Sequence, residues 1–443
     1  MNRSNQPSLA FTVGIYTLGC KVNQYESEAI AEILEEAGAT VLPPNRVCDA
    51  YVINTCTVTA ESDRKARQFI RRAIAKNPQA YIAVTGCLAE TGAESLAAIP
   101  GVDVIVGNTE KLAAARALLR LVAEGKKPPS PILHRPPLEG APFEPMRICA
   151  FGRTRAYVKI EDGCENHCAY CIIPSARGAV RSKPLTEVVE EVTTLTRGGC
   201  REVVLTGIET ASYGRDRSEG SLADLLTAVN GIEGIGRVRL GSLDPSLIRP
   251  PFVKAIAPLS SLTPHFHLSL QSGSSKILAA MKRKYNADMA RNAMALLRDA
   301  MPRVKFSTDV IVGFPGETEE DFLESARFIR EEGFLTVHIF PYSKRRGTLA
   351  ERMPNQVPEE VKRDRLHRLE VIAAESRRKI LEKSVAEYPL TEVLFETYKD
   401  GRAFGHTDDF LEVSVPSLHP LHGLLLPVRL TSTDGELVFG ELL

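Results

Sequence analysis

Three cysteines lie within eight residues, Cys164-x3-Cys168-x2-Cys171, just past a predicted strand over residues 155–160. Clustered thiols of this kind bind metal. A closed zinc site wants four ligands, usually in close pairs, and this loop offers three cysteines. His167 is a nominal fourth donor, but so short a loop turns its ring elsewhere. Three thiolates on a 4Fe-4S cluster leave one iron open, where a substrate or cofactor can bind and be reductively cleaved. An incomplete zinc knuckle and chance clustering are the alternatives. Cys20, Cys56 and Cys87 are far apart in sequence, yet each follows a predicted parallel strand by one or two residues. Ligands collect at the C-terminal edge of such sheets, so these three can converge on a second site. The competing reading is three buried thiols at turns such as Gly19-Cys20 and Gly86-Cys87. Cys48, Cys149 and Cys200 share neither pattern and read as small core residues.

The elements that must position these residues are legible from periodicity. From residue 11 to about 110, short apolar runs alternate with helical segments, the mark of a parallel sheet wrapped by helices. Strands are expected at Phe11 to Leu18, Ala50 to Asn54, Tyr81 to Thr85 and Val102 to Val106. Helices are expected over Tyr25 to Ala37, with Asn23 and Glu26 spaced as a capping box and Gly38 as the stop, and over Glu61 to Lys76. Seven prolines between 126 and 147 exclude helix or central strand and mark a linker. Beyond it come six strand-then-helix units, with strands near 155–160, 202–206, 237–242, 265–270, 304–312 and 335–341, which suggest a parallel sheet curled toward a partial barrel with functional loops at its C-terminal strand ends. A long charged helix over 358–386 follows. Short segments at 391–396, 410–415, 423–430 and 436–440 then suggest a small β-barrel. The expected class is α/β, divided as 9–125, a linker at 126–147, a central domain at 148–380 and a terminal barrel at 381–443.

Composition fits a folded protein: 443 residues, 44% hydrophobic and 25% charged, with 55 basic and 55 acidic side chains. This length suits two to four domains. Nine cysteines are too sparse for a disulfide scaffold. The start, Met1 to Gln6, lacks the apolar core of a secretory signal, and no stretch approaches a membrane span, so a cytoplasmic protein with no membrane partner is expected.

The motifs jointly resemble the radical S-adenosylmethionine methylthiotransferases. They are Thr17-Leu18-Gly19-Cys20-Lys21-Val22-Asn23, Asn54-Thr55-Cys56, Thr85-Gly86-Cys87, the stretch from Asp162 to Pro174 around the cysteine loop, His267-Leu268-Ser269-Leu270-Gln271-Ser272-Gly273, the stretch from Asp309 to Thr318, and Gly405-His406-Thr407-Asp408. The run around Cys20 is similar to the branch acting on N6-threonylcarbamoyladenosine at position 37 of tRNA, beside the anticodon. The resemblance implies an N-terminal methylthiotransferase domain, a partial (β/α)6 radical domain and a C-terminal TRAM barrel. It also implies two 4Fe-4S clusters, an auxiliary one on Cys20, Cys56 and Cys87 and one that cleaves S-adenosyl-L-methionine on Cys164, Cys168 and Cys171. One S-adenosylmethionine would supply a methyl group to sulfur; a second would yield the 5′-deoxyadenosyl radical that removes hydrogen from carbon 2 of adenine. No side-chain general base is needed, and a sulfur donor and a reductant are required. The pattern further implies cofactor contacts at Gly313, Gly316 and Glu317, while Thr206, Gly207 and Ser242, at the ends of the second and third central strands, and Tyr170, just before the third cysteine, are candidates by position. Rim packing of Tyr170 and plain turns at the glycines compete with that reading.

Charge bears on the tRNA partner. Glu61 to Lys76 carries six basic residues against two acids, and Lys282-Arg283-Lys284, Lys344-Arg345-Arg346, Arg177 and Arg181 add candidates for RNA phosphates. The terminal barrel, residues 391–443, has three basic residues against nine acids, a poor grip on phosphate. It could contact bases through Phe404, His406 or Phe410, dock on the central domain, or face a basic protein. RNA affinity is therefore expected mainly outside the barrel. A ribosomal-protein substrate for the same chemistry and a zinc-stabilised RNA-binding protein are the rival functions.

Overall fold

Apolar runs and amphipathic helices alternate to build a parallel sheet of six strands: β1 (Phe11–Thr17), β2 (Ala39–Leu42), β3 (Ala50–Thr55), β4 (Tyr81–Gly86), β5 (Val104–Val106) and β6 (Ile132–His134), in the order β2-β1-β3-β4-β5-β6. In the computed structural model, residues 10–218 and 220–443 are described. The polar segment Met1 to Gln6 lies outside them. Between the strands run α1 (Lys21–Glu36), α2 (Ala60–Lys76), α3 (Cys87–Thr91), α4 (Ala93–Ala97) and α5 (Ala113–Glu124). All of β3 is buried, as a parallel strand covered on both faces should be. Ala66, Ile70 and Ala73 of α2 share one core with Ile53, Ile82 and Val84. Each fully buried branched side chain there contributes roughly 1.5–3 kcal/mol.

Three local expectations differ from this structure. Helix α1 begins at Lys21, with Cys20 as an N-cap that makes no side-chain capping bond. Asn23, inside the helix, donates Nδ2 to the carbonyls of Leu18 (2.7 Å) and Thr55 (3.0 Å), and its Oδ1, the atom a capping box would use, accepts from Arg177 Nη2 (2.6 Å). The Pro-rich stretch contains β6, which pairs with β5 as an edge strand, where prolines at 131 and 136 cost no ladder bond. The short run β2 is a further edge strand that pairs with β1.

The central chain opens with β7 (Ala156–Lys159). Next come β8 (Glu161–Asp162), α6 (Ile173–Arg177) and β9 (Arg181–Ser182), in which β8 and β9 pair antiparallel. Five strand-forming segments follow: β10 (Glu202–Thr206), β11 (Arg237–Leu240), β12 (His265–Gln271), β13 (Lys305–Val312) and β14 (Thr336–Pro341). Parallel pairing gives β11-β10-β7 and β12-β13-β14, and parallel bridges such as Leu243 to Leu268 join the two sets. The six expected strands are all present. Helices α7 (Leu185–Arg197), α8 (Leu222–Asn230), α9 (Pro250–Ile256), α10 (Ser275–Ala280), α11 (Ala287–Ala300) and α12 (Glu319–Glu332) connect them. The chain forms two compact units. The first holds the described residues up to Cys149 with Glu161–Glu165 and Cys171–Lys183; the second holds Ala150–Ile160, Asn166–Tyr170 and Pro184–Leu443. The Pro-rich stretch thus belongs to the first unit, and the terminal barrel to the second. No described helix is long and apolar enough to cross a membrane.

Helix α13 (Glu359–Glu387) leads to the closed barrel of β15 (Leu390–Lys399), β16 (Arg402–Thr407), β17 (Glu412–Pro416), β18 (Leu425–Thr433) and β19 (Val438–Leu442), ordered β15-β16-β17-β19-β18. Strand β16 escapes the sequence pattern because it carries Arg402, Gly405 and His406. Gly405 is required there: a Cβ would lie 2.2 Å from the Leu394 carbonyl oxygen.

The barrel docks on the starts of the central strands, and its acidity is used in doing so. Arg237 donates to the carbonyls of Glu392 (2.8 Å) and His406 (3.0 Å), and Arg239 to those of Thr407 and Asp408. Arg303 pairs with Asp408 at 2.9 Å, and Arg155 bridges Glu396 (2.5 Å) and Glu202 (2.7 Å). Burial alone would raise the pKa of Glu202, but Arg239, Arg155 and Arg237 outweigh it and hold the carboxyl at about 2. Phe410 stacks on His265 and His406 at 4.7 and 4.6 Å and lies 4.6 Å from the Arg239 guanidinium. His406 and Phe410 therefore serve docking, which removes them as base contacts.

Candidate active site

In the first unit, Cys20, Cys56 and Cys87 come together at the C-terminal ends of the neighbouring strands β1, β3 and β4. Cys20 caps α1, Cys56 directly follows β3, and Cys87 opens α3. Glycines permit the approach. Gly19 has φ +105°, and a Cβ there would sit 3.2 Å from the Cys56 sulfur; Gly86 has φ +95°, and its Cβ would sit 2.3 Å from the Thr55 carbonyl oxygen. Cys56 and Cys87 are buried. Burial pushes the Cys56 thiol up to about 11, and the charges of Cys87 and Cys20 push the same way. Protein packed around the Cys20 thiol raises it too, against the lowering pull of Arg177. Three thiols this close resist joint ionisation unless a cation sits among them, a charge that iron would supply. The donor set fits a 4Fe-4S cluster with three cysteine ligands.

A buried ion network underlies this site. Arg177, from α6, is fully buried. It donates to Asn23 Oδ1 (2.6 Å), Asp162 Oδ1 (2.8 Å) and Glu26 Oε1 (3.1 Å). Lys111 also pairs with Glu26, and Arg181 lies 3.5 Å from Asp162. Arg177 and Arg181, expected as RNA contacts, are both buried and spent on carboxylates. A run of basic residues carries no sign of which side chains turn inward, and the i, i+3 spacing of Asn23 and Glu26 was the one available hint.

The cysteine loop contributes Cys164 and Cys171 to the first unit and Cys168 to the second. All three are half-buried. Gly163 has φ +87°, and a Cβ would lie 1.9 Å from the Ala179 carbonyl oxygen, so only glycine lets the chain turn into Cys164. In the second unit, Arg283 Nη1 donates to the Cys168 sulfur at 3.2 Å, and Nη2 donates to Asp244 (3.0 Å) and the Ser269 carbonyl (3.1 Å). Its side chain is 6% exposed, which takes Arg283 out of the set open to RNA and places it against Cys168. Donors to cluster sulfurs tune reduction potential, so this contact also fits iron–sulfur ligation.

Beside it, Asn166 Nδ2 donates to Glu209 Oε2 at 3.0 Å. Burial, then the charge of Asp244, pushes the Glu209 carboxyl up to about 7 from an ordinary 4.5. The folded chain therefore keeps this proton to higher pH than the unfolded chain, so its contribution is present below about pH 4.5 and lost as pH rises through 7. Glu209→Gln should stabilise the protein by about 1–3 kcal/mol at pH 8.5, with the gain growing between pH 4.5 and 7. Urea unfolding at several pH values measures it. A gain that does not change with pH contradicts the assignment.

The remaining candidates are dispersed along the C-terminal strand ends. Thr206 closes β10 and its carbonyl accepts from Ile160 N (2.8 Å); Gly207 follows it; the Ser242 carbonyl, just past β11, accepts from Thr210 Oγ1 (2.5 Å). Tyr170 packs, partly buried, on the cluster of Met281, Phe314 and Tyr342. Gly313 (φ +72°) is explained by α13: a Cβ would meet Lys362 Cγ at 2.3 Å. Glu317 Oε2 accepts from Gly313 N (2.6 Å) and Arg365 Nη1 (2.7 Å), so its carboxylate holds this loop to α13. Gly316 (φ +84°) faces open space. Cys48 and Cys200 are core residues, whereas Cys149 is exposed. On α2, Arg64, Lys65, Arg71, Arg72 and Lys76 are exposed.

Residues 158–329 match the radical SAM superfamily and residues 12–107 the Uncharacterized protein family UPF0004. Threonylcarbamoyladenosine tRNA methylthiotransferase MtaB of Bacillus subtilis (strain 168) is 40% identical, over 95% of this chain and 93% of its own length. The MtaB protein of Chlamydia pneumoniae is 37% identical over 97% of this chain and 98% of its own. A tRNA-2-methylthio-N(6)-dimethylallyladenosine synthase of Clostridium tetani is 34% identical over 97% and 96%. Among solved structures, the radical S-adenosylmethionine methyltransferase TsrM of Kitasatospora setae, with cobalamin and a [4Fe-4S] cluster bound, superposes with a TM-score of 0.52 at 15% identity, over 75% of this chain and 72% of that one. That likeness is one of fold.

Proposed function

The chain belongs to the radical S-adenosylmethionine tRNA methylthiotransferases, and from that premise we propose that it converts N6-threonylcarbamoyladenosine at position 37 of tRNA to its 2-methylthio derivative. The observation that carries the reading is the pair of three-cysteine sets, each at C-terminal strand ends, in a chain 40% identical to a threonylcarbamoyladenosine enzyme over nearly its whole length. In it, Cys20, Cys56 and Cys87 hold the auxiliary cluster and Cys164, Cys168 and Cys171 the other. When bound, the clusters and S-adenosylmethionine supply the electron, methyl and radical chemistry that a non-acidic aromatic C–H bond requires. The chain's own task is placement. Arg177 and its carboxylates support the first set, Arg283 donates to Cys168, and the docked barrel braces the strand starts. A sulfur donor and a reductant complete the reaction, and a tRNA substrate implies action in the cytoplasm.

Mass spectrometry of tRNA nucleosides from cells with and without the gene tests this. Loss of 2-methylthio-N6-threonylcarbamoyladenosine on deletion is expected; an unchanged level sinks the proposal. Three of the barrel's nine acids, Glu396, Asp408 and Asp409, pair with basic residues of the central strands, which weakens its acidity as a ground for a ribosomal-protein substrate.

The exposed basic face of α2 is the proposed phosphate contact. Arg71→Glu combined with Arg72→Glu should weaken tRNA binding about tenfold or more near 0.1 M salt and flatten the salt dependence by roughly two counterions. Filter binding across a salt series measures both. Unchanged slope and affinity would remove α2 from the interface.

A further inference from the structure

We propose that Lys282 and Lys284 on one loop, with Lys344 and Arg346 on another, form a clamp for the two backbone phosphates that flank the target nucleotide, an inference that rests on the tRNA reading above. The first loop follows α10, beyond β12, and the second follows β14. Both are tied to the residue after Cys168. Ala169 N donates to the Met281 carbonyl (2.9 Å), and Ala350 N donates to the Ala169 carbonyl (2.7 Å). Ala169, Met281, Tyr342 and Ala350 also share one buried cluster. Two basic loops far apart in sequence therefore rise from one foundation, next to a cysteine of the second set.

In each loop the middle cation is drawn in and the outer two are left out. Arg283 is buried against Cys168, Asp244 and the Ser269 carbonyl, and Arg345 is half-buried. Lys282, Lys284, Lys344 and Arg346 are exposed, and among the described residues none of the four forms an ion pair. Asp244 and Glu351, acids beside these loops, are engaged, the first by Arg283 at 3.0 Å and the second by Gly347 N at 2.9 Å. Four unanswered cations on two loops with a common anchor repel one another, and a polyanion relieves that repulsion.

The backbone at Lys282 points the same way. Its φ is +59°, in the left-handed region. Lys282 N donates to the Ala279 carbonyl (3.0 Å) and Arg283 N to that of Leu278 (2.9 Å), the Schellman ending of α10, in which this position is usually glycine. A side chain there costs free energy. Attraction of a cation to the helix C-terminus offsets part of that cost, but α10 is only six residues long. A lysine thus stands where glycine would fit best, four residues from the end of the loop's helix-capping turn to no structural benefit of its own.

The class of ligand follows from the reaction. Chemistry at carbon 2 of an adenine needs the base taken out of its stack and held at the strand ends. The linkages on either side of an extruded nucleotide stay at the rim, and contacts to phosphate fix its position without reading its sequence. Two loops bonded to the N–H and to the carbonyl of one residue, each carrying two outward cations, suit those two linkages.

The test measures binding of two anticodon stem-loops to the full chain carrying both clusters. Each stem-loop bears N6-threonylcarbamoyladenosine; one has native phosphodiesters, and the other has neutral methylphosphonate linkages on both sides of that nucleotide. The wild type should bind the native stem-loop about tenfold or more tightly than the neutral one near 0.1 M salt. Lys282→Gly with Lys284→Gln, and Lys344→Gln with Arg346→Gln, should each weaken native binding about tenfold and lower the salt slope by roughly 1.4. All four changes combined should leave the two stem-loops bound nearly equally. Melting temperature and iron content report that each variant is folded and loaded, and Lys282→Gly by itself should weaken binding with no fall in melting temperature. A wild type indifferent to linkage charge, or a combined variant whose preference for native linkages is undiminished, overturns this inference alone. So does a combined variant that binds the native stem-loop as tightly as the wild type, since its cations would then be a solvated face or serve an acidic protein. Failure of the wild type to bind either stem-loop takes down the tRNA reading together with this one.

Discussion

Replacing Arg177 with methionine should destabilise the N-terminal unit by about 3–5 kcal/mol, the cost of leaving a buried ion network one cation short. Glu26 and Asp162 are almost wholly inaccessible, with side-chain exposures of 0% and 3%. With Arg177 gone, Lys111 and Arg181 remain as their cations, and Arg181 stands 3.5 Å from Asp162. Asn23 Oδ1 would lose its 2.6 Å donor as well. The same change withdraws the charge that favours the Cys20 thiolate, so cluster retention should fall along with stability. Arg177→Lys should rescue little, because one ammonium cannot reach three acceptors held by a planar fork. Denaturant unfolding of the anaerobic protein, with iron assayed on dilution, measures both effects. Adding Glu26→Gln to Arg177→Met should recover part of the loss, which a double-mutant cycle reads directly. A loss below about 1 kcal/mol would mean that the network carries no weight.

Substituting one cysteine from each set should separate two functions. Cys56→Ser and Cys168→Ser should each lower bound iron from about eight to about four atoms per chain, and each should cut methylthiolation by at least about 10³-fold. They should differ in what survives. Cys56→Ser keeps cleavage of S-adenosylmethionine to 5′-deoxyadenosine, and Cys168→Ser loses it. Iron analysis together with chromatographic assay of 5′-deoxyadenosine distinguishes them. If Cys56→Ser keeps its methylthiolation, or if Cys168→Ser keeps its cleavage, the assignment of the two sets is wrong.

Much of this site was legible because its signals are local. The spacing of Cys164, Cys168 and Cys171 is a property of eight consecutive residues, and the placement of Cys20, Cys56 and Cys87 after three strands follows from short apolar runs that end just before the cysteines. Elements without such a run were missed. β2 is four residues long, and β16 is interrupted by Arg402, Gly405 and His406. Charged residues were misread where their partners are remote. Arg283 and Arg177 lie in or near basic runs of the kind that usually coat a surface, yet one meets a cysteine sulfur 115 positions away and the other a carboxylate 151 positions away. Part of the terminal barrel's acidity is likewise answered from outside it: Glu396, Asp408 and Asp409 meet Arg155, Arg303 and Lys305 at the starts of other strands.

The sequence alone thus determined the two cysteine sets, the six central strands and the family chemistry, since each is written in contiguous residues or in the period of a single element. Only the tertiary structure decided which basic residues are exposed and which are buried as ion pairs, and that Glu396, Asp408 and Asp409 of the barrel answer basic residues of the central strands. Those facts depend on which residues distant in the chain become neighbours, and strand register and side-chain direction settle that only once the strands have paired.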